Sequence, residues 1–264
     1  MVAQQAKAAA AVARWNTEPF HNNFSNPVIA MQQKVGELTI IMPVLNEAAR
    51  MATALAALRP FINNGARVVV ADGGSTDATV AIAQAIADML PAITVISSGP
   101  GRALQMNAGA KHASGKALLF LHADTALPLG ADVAVMQALA SGTHVWGRFD
   151  VQIDGSSAWL PVVAALMNLR SRLTGIATGD QTLFMTQAAF AALQGFAVQP
   201  LMEDIDMSRR LLQLSQPACL RLKVATSGRR WDARGAWRTI VLMWRLRFAY
   251  WRGVPAERLA QLYR

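Results

Sequence analysis

The sequence predicts an α/β fold with a mostly parallel central sheet flanked by helices, on three observations. Short apolar runs recur between amphipathic stretches from Leu38 to Leu121. Each run ends in a turn rich in helix-capping or glycine residues. Acidic residues follow the ends of the runs, at Glu47, Asp72 and Asp124. Apolar runs buried on both faces and joined by helical crossovers are the pattern of a parallel sheet.

The elements follow in order. Leu38–Met42 reads as a buried strand, and Glu47–Leu58 as a helix capped by Asn46. Arg67–Ala71 is the second strand and Thr76–Leu90 the second helix. Ile93–Ser97 and Arg102–Ala113 repeat the unit, and Lys116–Leu121 is the fourth strand. Beyond Asp124 the pattern is less regular. Leu129–Ser141 reads as a helix, Thr143–Ile153 as a strand, and Trp159–Leu173 as an apolar segment. Gln181–Met185 reads as a strand, followed by helices over Gln187–Gln194 and Ile205–Leu214.

The 264 residues suit one large α/β domain with appendages, and 53% are apolar, yet no run is long enough to span a membrane. Residues 1–35 read as a flexible tail, rich in Ala, Asn and Gln, in which Met31 is a candidate alternative start. Ala8–Ala13 is too weakly apolar for a secretory signal. A single cysteine, Cys219, excludes an internal disulfide and a zinc cluster, and fits a cytoplasmic location. The net charge of +9 gathers at the C-terminal end, in Arg229, Arg230, Arg234, Arg238, Arg245, Arg247, Arg252, Arg258 and Arg264. Such a surface attracts nucleic acid, anionic lipid or phosphorylated substrate. No nucleic-acid motif accompanies it, so nucleic acid is not an expected partner.

Strand ends matter because ligands of open α/β sheets bind outside the carboxyl ends of the strands. Glu47, Asp72 and Asp124 are therefore expected in one crevice. Crowded carboxylates need a cation, a donor-rich ligand or a proton between them. A nucleotide–metal site satisfies that need. In Asp72-Gly73-Gly74-Ser75-Thr76-Asp77 the glycines allow close backbone approach to a ligand. Asp77 suits a first helical turn and reads as structural. Asp72 has no such capping role. Gly101-Arg102 opens a helix and places a guanidinium where anions bind.

Pro43-Val44-Leu45-Asn46-Glu47, Asp72-Gly73-Gly74-Ser75-Thr76-Asp77, His122-Ala123-Asp124 and Glu203-Asp204, in this order and at these intervals, resemble the family 2 glycosyltransferases. The resemblance covers roughly Leu38 to Trp231 and implies the GT-A fold. It implies that Pro43, Leu45, Glu47, Asp72, Gly74, Arg102 and His122 bind a nucleotide-sugar, with a UDP-sugar favoured and a GDP-sugar the alternative. It implies that Asp124, the last residue of the family's Asp-x-Asp motif, holds Mn²⁺ or Mg²⁺. His122 replaces the first Asp of that motif, and contact with ribose is its alternative use. The general base is expected in Glu203-Asp204, with Asp204 the first choice. Asp180 and Gln181 are expected on the acceptor side, where Asp180 binds the acceptor or steadies a loop.

The implied activity is metal-dependent transfer of a sugar to an acceptor hydroxyl with inversion. The acceptor is open and includes lipid-linked molecules. A non-catalytic nucleotide-sugar-binding protein is the alternative. A nucleotidyltransferase fits less well, because the loop after its first strand is glycine-rich and basic. Residues 36–232 are expected to form the transferase domain and 233–264 a basic, aromatic helical extension. There Trp237, Trp244 and Trp251 recur at heptad spacing, with Val241 and Phe248 between them. Such a helix suits either docking on the core or peripheral contact with the inner face of the cell membrane.

Overall fold

The structure is a computed structural model and describes residues 37–229, 232 and 236–263. The expected N-terminal tail lies outside the described residues. Strand β1, Leu38–Val44, is buried along its whole length. It pairs in parallel with β2, Arg67–Asp72, on one side and with β4, Ala117–Phe120, on the other. Strand β3, Ile93–Ser97, extends the parallel part beyond β2. These strands match the expected ones within about two residues.

Helix α1, Ala48–Ala56, follows β1, and a short α2, Arg59–Asn63, precedes β2. Helices α3, Thr79–Ala87, and α4, Arg102–Lys111, are the next crossovers. Ile40, Met42, Val68 and Val70 face α1 and α3 in one buried cluster. Ile41, Leu118 and Phe120 face α4 in a second. The alternation of cluster along each strand is the period of two that puts helices on both faces.

The second half turns the sheet mixed. After β4 come β5, Thr125–Ala126, helix α5, Ala131–Ala140, and β6, Trp146–Asp154. Helix α6, Leu160–Thr174, leads through a 3-10 turn, Gly179–Gln181, into β7, Leu183–Thr186. Helices α7, Gln187–Ala192, and α8, Glu203–Leu211, precede β8, Ala218–Ser227. The sheet order is β3-β2-β1-β4-β7-β6-β8-β5. Strand β7 is antiparallel to both β4 and β6. Strands β5 and β8 were not anticipated from the sequence.

Helix α6 is held to β6 by polar contacts on its inner side. Asn168 Nδ2 donates to the Val151 carbonyl at 3.0 Å, and its Oδ1 accepts from the Val151 amide at 2.8 Å. Arg172 pairs with Asp150 at 2.6 Å, and Asp150 also pairs with the fully buried Arg148. With Asn168 and Arg172 turned inward, positions 166, 169 and 173 face outward.

The C-terminal segment is two helices, α9, Ala236–Trp251, and α10, Ala256–Tyr263, separated at Gly253-Val254-Pro255. Leu246 and Leu259 are buried with Met202 and Ile205, at the start of α8. Leu242, Met243, Ala249 and Tyr250 pack around them. The aliphatic side of α9 is thus its docking side. Val241, Trp244, Phe248 and Trp251 are all exposed. The side chain of Trp237 lies outside the described residues.

Candidate active site

Strand β1 ends at Val44, and the next residues curl across the carboxyl edge of the sheet. Asn46 has a left-handed φ of 55°. Its expected role as the cap of α1 is not what the structure shows. Its side-chain oxygen accepts from the Thr76 amide at 2.9 Å, linking two strand-end loops. The free Ala48 amide of α1 finds Asp77 Oδ2 instead, at 3.2 Å. Asp77 also accepts from the Thr79 amide and hydroxyl. Burial raises the Asp77 pKa, but the bonds from Thr79 and Ala48 outweigh it and hold the carboxyl below its ordinary value. Asp77 is structural, as expected.

Asp72 departs from expectation. It is 5% exposed, and its Oδ2 accepts from the amides of Gly74 at 2.9 Å and Ser75 at 3.0 Å. A carboxylate followed by small residues can bond back to its own turn. Asp72 therefore has a local role within its own turn, which was not expected from the sequence. Neither it nor Gly74 lines the cleft described below; they shape the loop beneath it.

Gln105 was not singled out from the sequence. Its Nε2 donates to the carbonyls of Val44 at 2.7 Å and Ala71 at 2.8 Å, the ends of two adjacent strands. A Cβ on Gly73 would stand 2.9 Å from Gln105 Cδ, so glycine is what lets the amide pass. Asn107 likewise bonds both backbone groups of Phe196 and is structural.

A cleft of about 1220 Å³ runs along the carboxyl edge of the sheet. Pro43, Leu45, Glu47, Arg102, His122, Asp124, Asp180 and Glu203 all line it. Residues following the ends of β1 and β4, from the Gly179–Gln181 turn and from α4 and α8 are thus brought together. Glu47 sits at the start of α1 and pairs with Arg50 at 3.4 Å. Asp124 follows β4 and faces Arg229 Nη2 at 3.8 Å, beyond the end of β8. His122 Nδ1 lies 3.8 Å from Asp180 Oδ1. A Cβ on Gly179 would stand 2.5 Å from His122 Cε1, so only glycine lets the turn approach the ring.

Glu203 and Asp204 begin α8 but differ in role. Glu203 opens on the cleft and is 6% exposed, with Arg102 Nη1 at 4.0 Å. Burial and the neighbouring Asp204 push its pKa up, more than Arg102 lowers it. Asp204, expected as the base, is turned to backbone. Its Oδ2 accepts from the Gly179 amide at 2.7 Å and its Oδ1 from the Ile205 amide at 2.8 Å. It pins the Gly179–Gln181 turn to α8. Gln181 also differs from expectation as an acceptor contact. It is fully buried, and its amide bonds Thr178 and Asn168, so it holds the turn rather than meeting a ligand.

The sequence model for glycosyl transferase family 2 matches residues 39–198. That is well over half of the chain, and the chain belongs to this family. A search of curated proteins finds no significant match. Among solved structures, the chain is similar to the mannosyltransferase PcManGT from Pyrobaculum calidifontis, in complex with GDP-Man and Mn²⁺. The TM-score is 0.60 at 20% identity, covering 93% of this chain and 72% of that one. It is also similar to S. aureus TarS 1–349, with a TM-score of 0.58 at 16% identity, over 73% of this chain. TarS 1–349 in complex with UDP-GlcNAc gives 0.57 at 17% identity, over 72% of this chain. The chain spans 60% of the TarS 1–349 chain and 58% of its UDP-GlcNAc complex. At these identities the likeness is one of fold, and that fold is GT-A.

Proposed function

We propose that this protein transfers a sugar from a nucleoside-diphosphate sugar to an acceptor hydroxyl, with inversion at the anomeric carbon. The observation that carries the reading is the meeting of Glu47, Asp124 and Glu203, from three separate elements, in one cleft. Membership of family 2 supports it. The neighbours solved with GDP-Man and with UDP-GlcNAc support a GDP- or UDP-sugar as donor.

Pro43, Leu45 and Glu47 lie where they would meet the base and ribose. Arg102, at the start of α4, lies where it would meet an anionic part of the donor. Among the described residues no group of three or more His, Cys, Asp or Glu gathers as a metal cage. Asp124 stands as a single carboxylate. That donor set suits Mg²⁺ or Mn²⁺, hard ions that take one or two carboxylates and complete their shell with substrate phosphates and water. An ion held at Asp124 supplies positive charge to the departing diphosphate. Arg229, beside Asp124, adds a guanidinium on the same side.

Displacement is a single step. The acceptor oxygen bonds to the anomeric carbon as the bond from that carbon to the diphosphate breaks. The bonding electron pair leaves with the nucleoside diphosphate. The hydroxyl proton passes to Glu203, whose pKa is raised by burial and by Asp204, which strengthens it as a proton acceptor. Asp204, the next residue, holds the start of α8 to the Gly179–Gln181 turn and so steadies Glu203. Glu203→Gln is expected to lower kcat roughly 10²- to 10⁴-fold with donor affinity retained. Asp204→Asn is expected to lower thermal stability as well as turnover. A Glu203→Gln enzyme with near-normal kcat beside a dead but well-folded Asp204→Asn enzyme would return the base to Asp204. The anomeric configuration of the product, read by NMR, tests inversion.

The exposed face of α9 extends the reading to peripheral contact with a membrane surface. Trp244, Phe248 and Trp251 stand outward, with Arg245 and Arg252 also exposed. Trp and Arg together favour the headgroup boundary. Among the described residues no helix is long and apolar enough to cross a membrane.

A further inference from the structure

The cleft continues past Glu203 between α6 and α9, and each helix sends one arginine into it, Arg170 and Arg247. Nε and Nη2 of Arg170 and Nε of Arg247 are buried with no hydrogen-bond partner. Other buried guanidinium atoms share that state, but Arg148 is paired with Asp150 and Arg210 with Asp206. No such pair holds Arg170 or Arg247 among the described residues. Burial and the nearby Arg247 push the Arg170 pKa down to about 10, so it stays charged at neutral pH. Burial lowers that of Arg247 as well. Like charges buried together with donors left unbonded are costly, and the attraction of Asp204 for both and of Asp180 for Arg247 offsets this only in part, which a bound anion would complete.

The position of the two arginines decides which anion. Asp204 acts on both and Asp180 on Arg247, and these flank Glu203. Asp124, at the diphosphate end, faces Arg229 instead. The arginine pair thus belongs to the side from which a hydroxyl reaches Glu203. The walls around it are apolar: Leu166, Leu169 and Leu173 on α6, and Met243 and Trp244 on α9. Leu173 is 77% exposed and Trp244 65%, although both line the cleft. Neither a bare anion nor a bare hydrocarbon complements a groove with a cationic floor and apolar sides.

We propose that the acceptor is an amphiphilic phosphate ester with a free hydroxyl: Arg170 and Arg247 seat its phosphate, and α6 and α9 hold its apolar chain. This rests on the glycosyl-transfer reading above. The phosphate is an anchor and undergoes no bond change; the hydroxyl attacks as already described.

Calorimetry on the full chain tests the proposal with octyl phosphate, 1-octanol, glycerol phosphate and inorganic phosphate as probes. Octyl phosphate is expected to bind saturably. Octanol, lacking the charge, and the two small phosphates, lacking the chain, are each expected to bind roughly tenfold or more weakly. Arg170→Gln and Arg247→Gln should each weaken octyl phosphate roughly tenfold or more and leave UDP and GDP unchanged. Equal binding of octanol would reduce the groove to an apolar site and overturn the proposal. Equal binding of inorganic or glycerol phosphate would overturn its apolar half. Loss of UDP or GDP in the arginine variants would move both residues to the donor side and overturn the assignment. If a variant does not fold, the wild-type probe series decides alone. Failure of the glycosyl-transfer reading shows in a different titration, the absence of any nucleotide-sugar binding to the wild type.

Discussion

Gln105 lines the cleft and shows how one buried amide can tie together the strand ends that build it. It donates to the carbonyls of Val44 and Ala71 at 2.7 and 2.8 Å, near the carboxyl ends of β1 and β2, where the Val44 carbonyl also accepts from the Gly73 amide. Gln105→Ala removes both bonds at once. Each lost bond is worth about 0.5–1.5 kcal/mol, so chemical denaturation should report a loss of about 1–3 kcal/mol. A loss below about 0.5 kcal/mol, the level of an ordinary surface change, would mean that the strand ends do not depend on it. Glu203 makes the opposite case. Its pKa lies above the ordinary value of 4.5, so ionising it in the fold costs stability. That cost is absent below the unfolded value and develops as pH rises from there through the folded value. Glu203→Gln removes it. The melting temperature of the variant relative to wild type should therefore climb from acid toward neutral pH while turnover falls. A relative melting temperature that instead falls with pH would show that pairing with Arg102 outweighs burial. The role of Gln105 was not legible in the sequence, and Glu203-Asp204 was legible only as a pair. A glutamine inside a helix carries no local signal of reaching two carbonyls, and adjacent Glu and Asp look interchangeable until the fold turns one toward backbone.

At the scale of elements, the strands were the most legible parts. Continuous apolar runs such as Val68-Val69-Val70 can be satisfied only by burial on both faces. Helix starts were less legible, because Asp77 serves the amides of both Ala48 and Thr79. A cap shared across two loops leaves no mark in the spacing of either. Strand β5 has only two residues and pairs with β8, which lies about a hundred positions further on. Nothing in so short a run announces such a partner. In α9 the heptad of tryptophans was visible, but which face docks was not. The aliphatic face packs against the start of α8, so the aromatic face is left outward. Flotation with anionic vesicles tests what that face does. A Trp244→Ser/Trp251→Ser variant should float several-fold less than wild type, most clearly at low salt. Equal flotation of the two proteins would remove the membrane contact.

At the scale of the whole molecule, the first half builds the edge on which a nucleotide is expected and the second half closes over it. That Pro43, Leu45, Glu47, Arg102, His122 and Asp124 meet in one cleft was legible because they sit at strand ends or a helix start, where topology alone forces convergence. The far wall was not. Arg170 and Arg247 are separated by a long stretch of sequence and look like ordinary helical arginines. Only the packing of α9 and α10 on α8 brings them to one groove. On the proposal above, this groove and edge form a transferase site organised on Asp124. Release of nucleoside diphosphate from a panel of UDP- and GDP-sugars, with Mn²⁺, Mg²⁺ or EDTA, tests it most directly on wild type and Asp124→Ala. Metal-dependent turnover of one donor by the wild type, suppressed by EDTA and lost in the variant, is the expected result. Turnover that survives both EDTA and Asp124→Ala, or a wild type that binds no nucleotide-sugar with metal present, would contradict it.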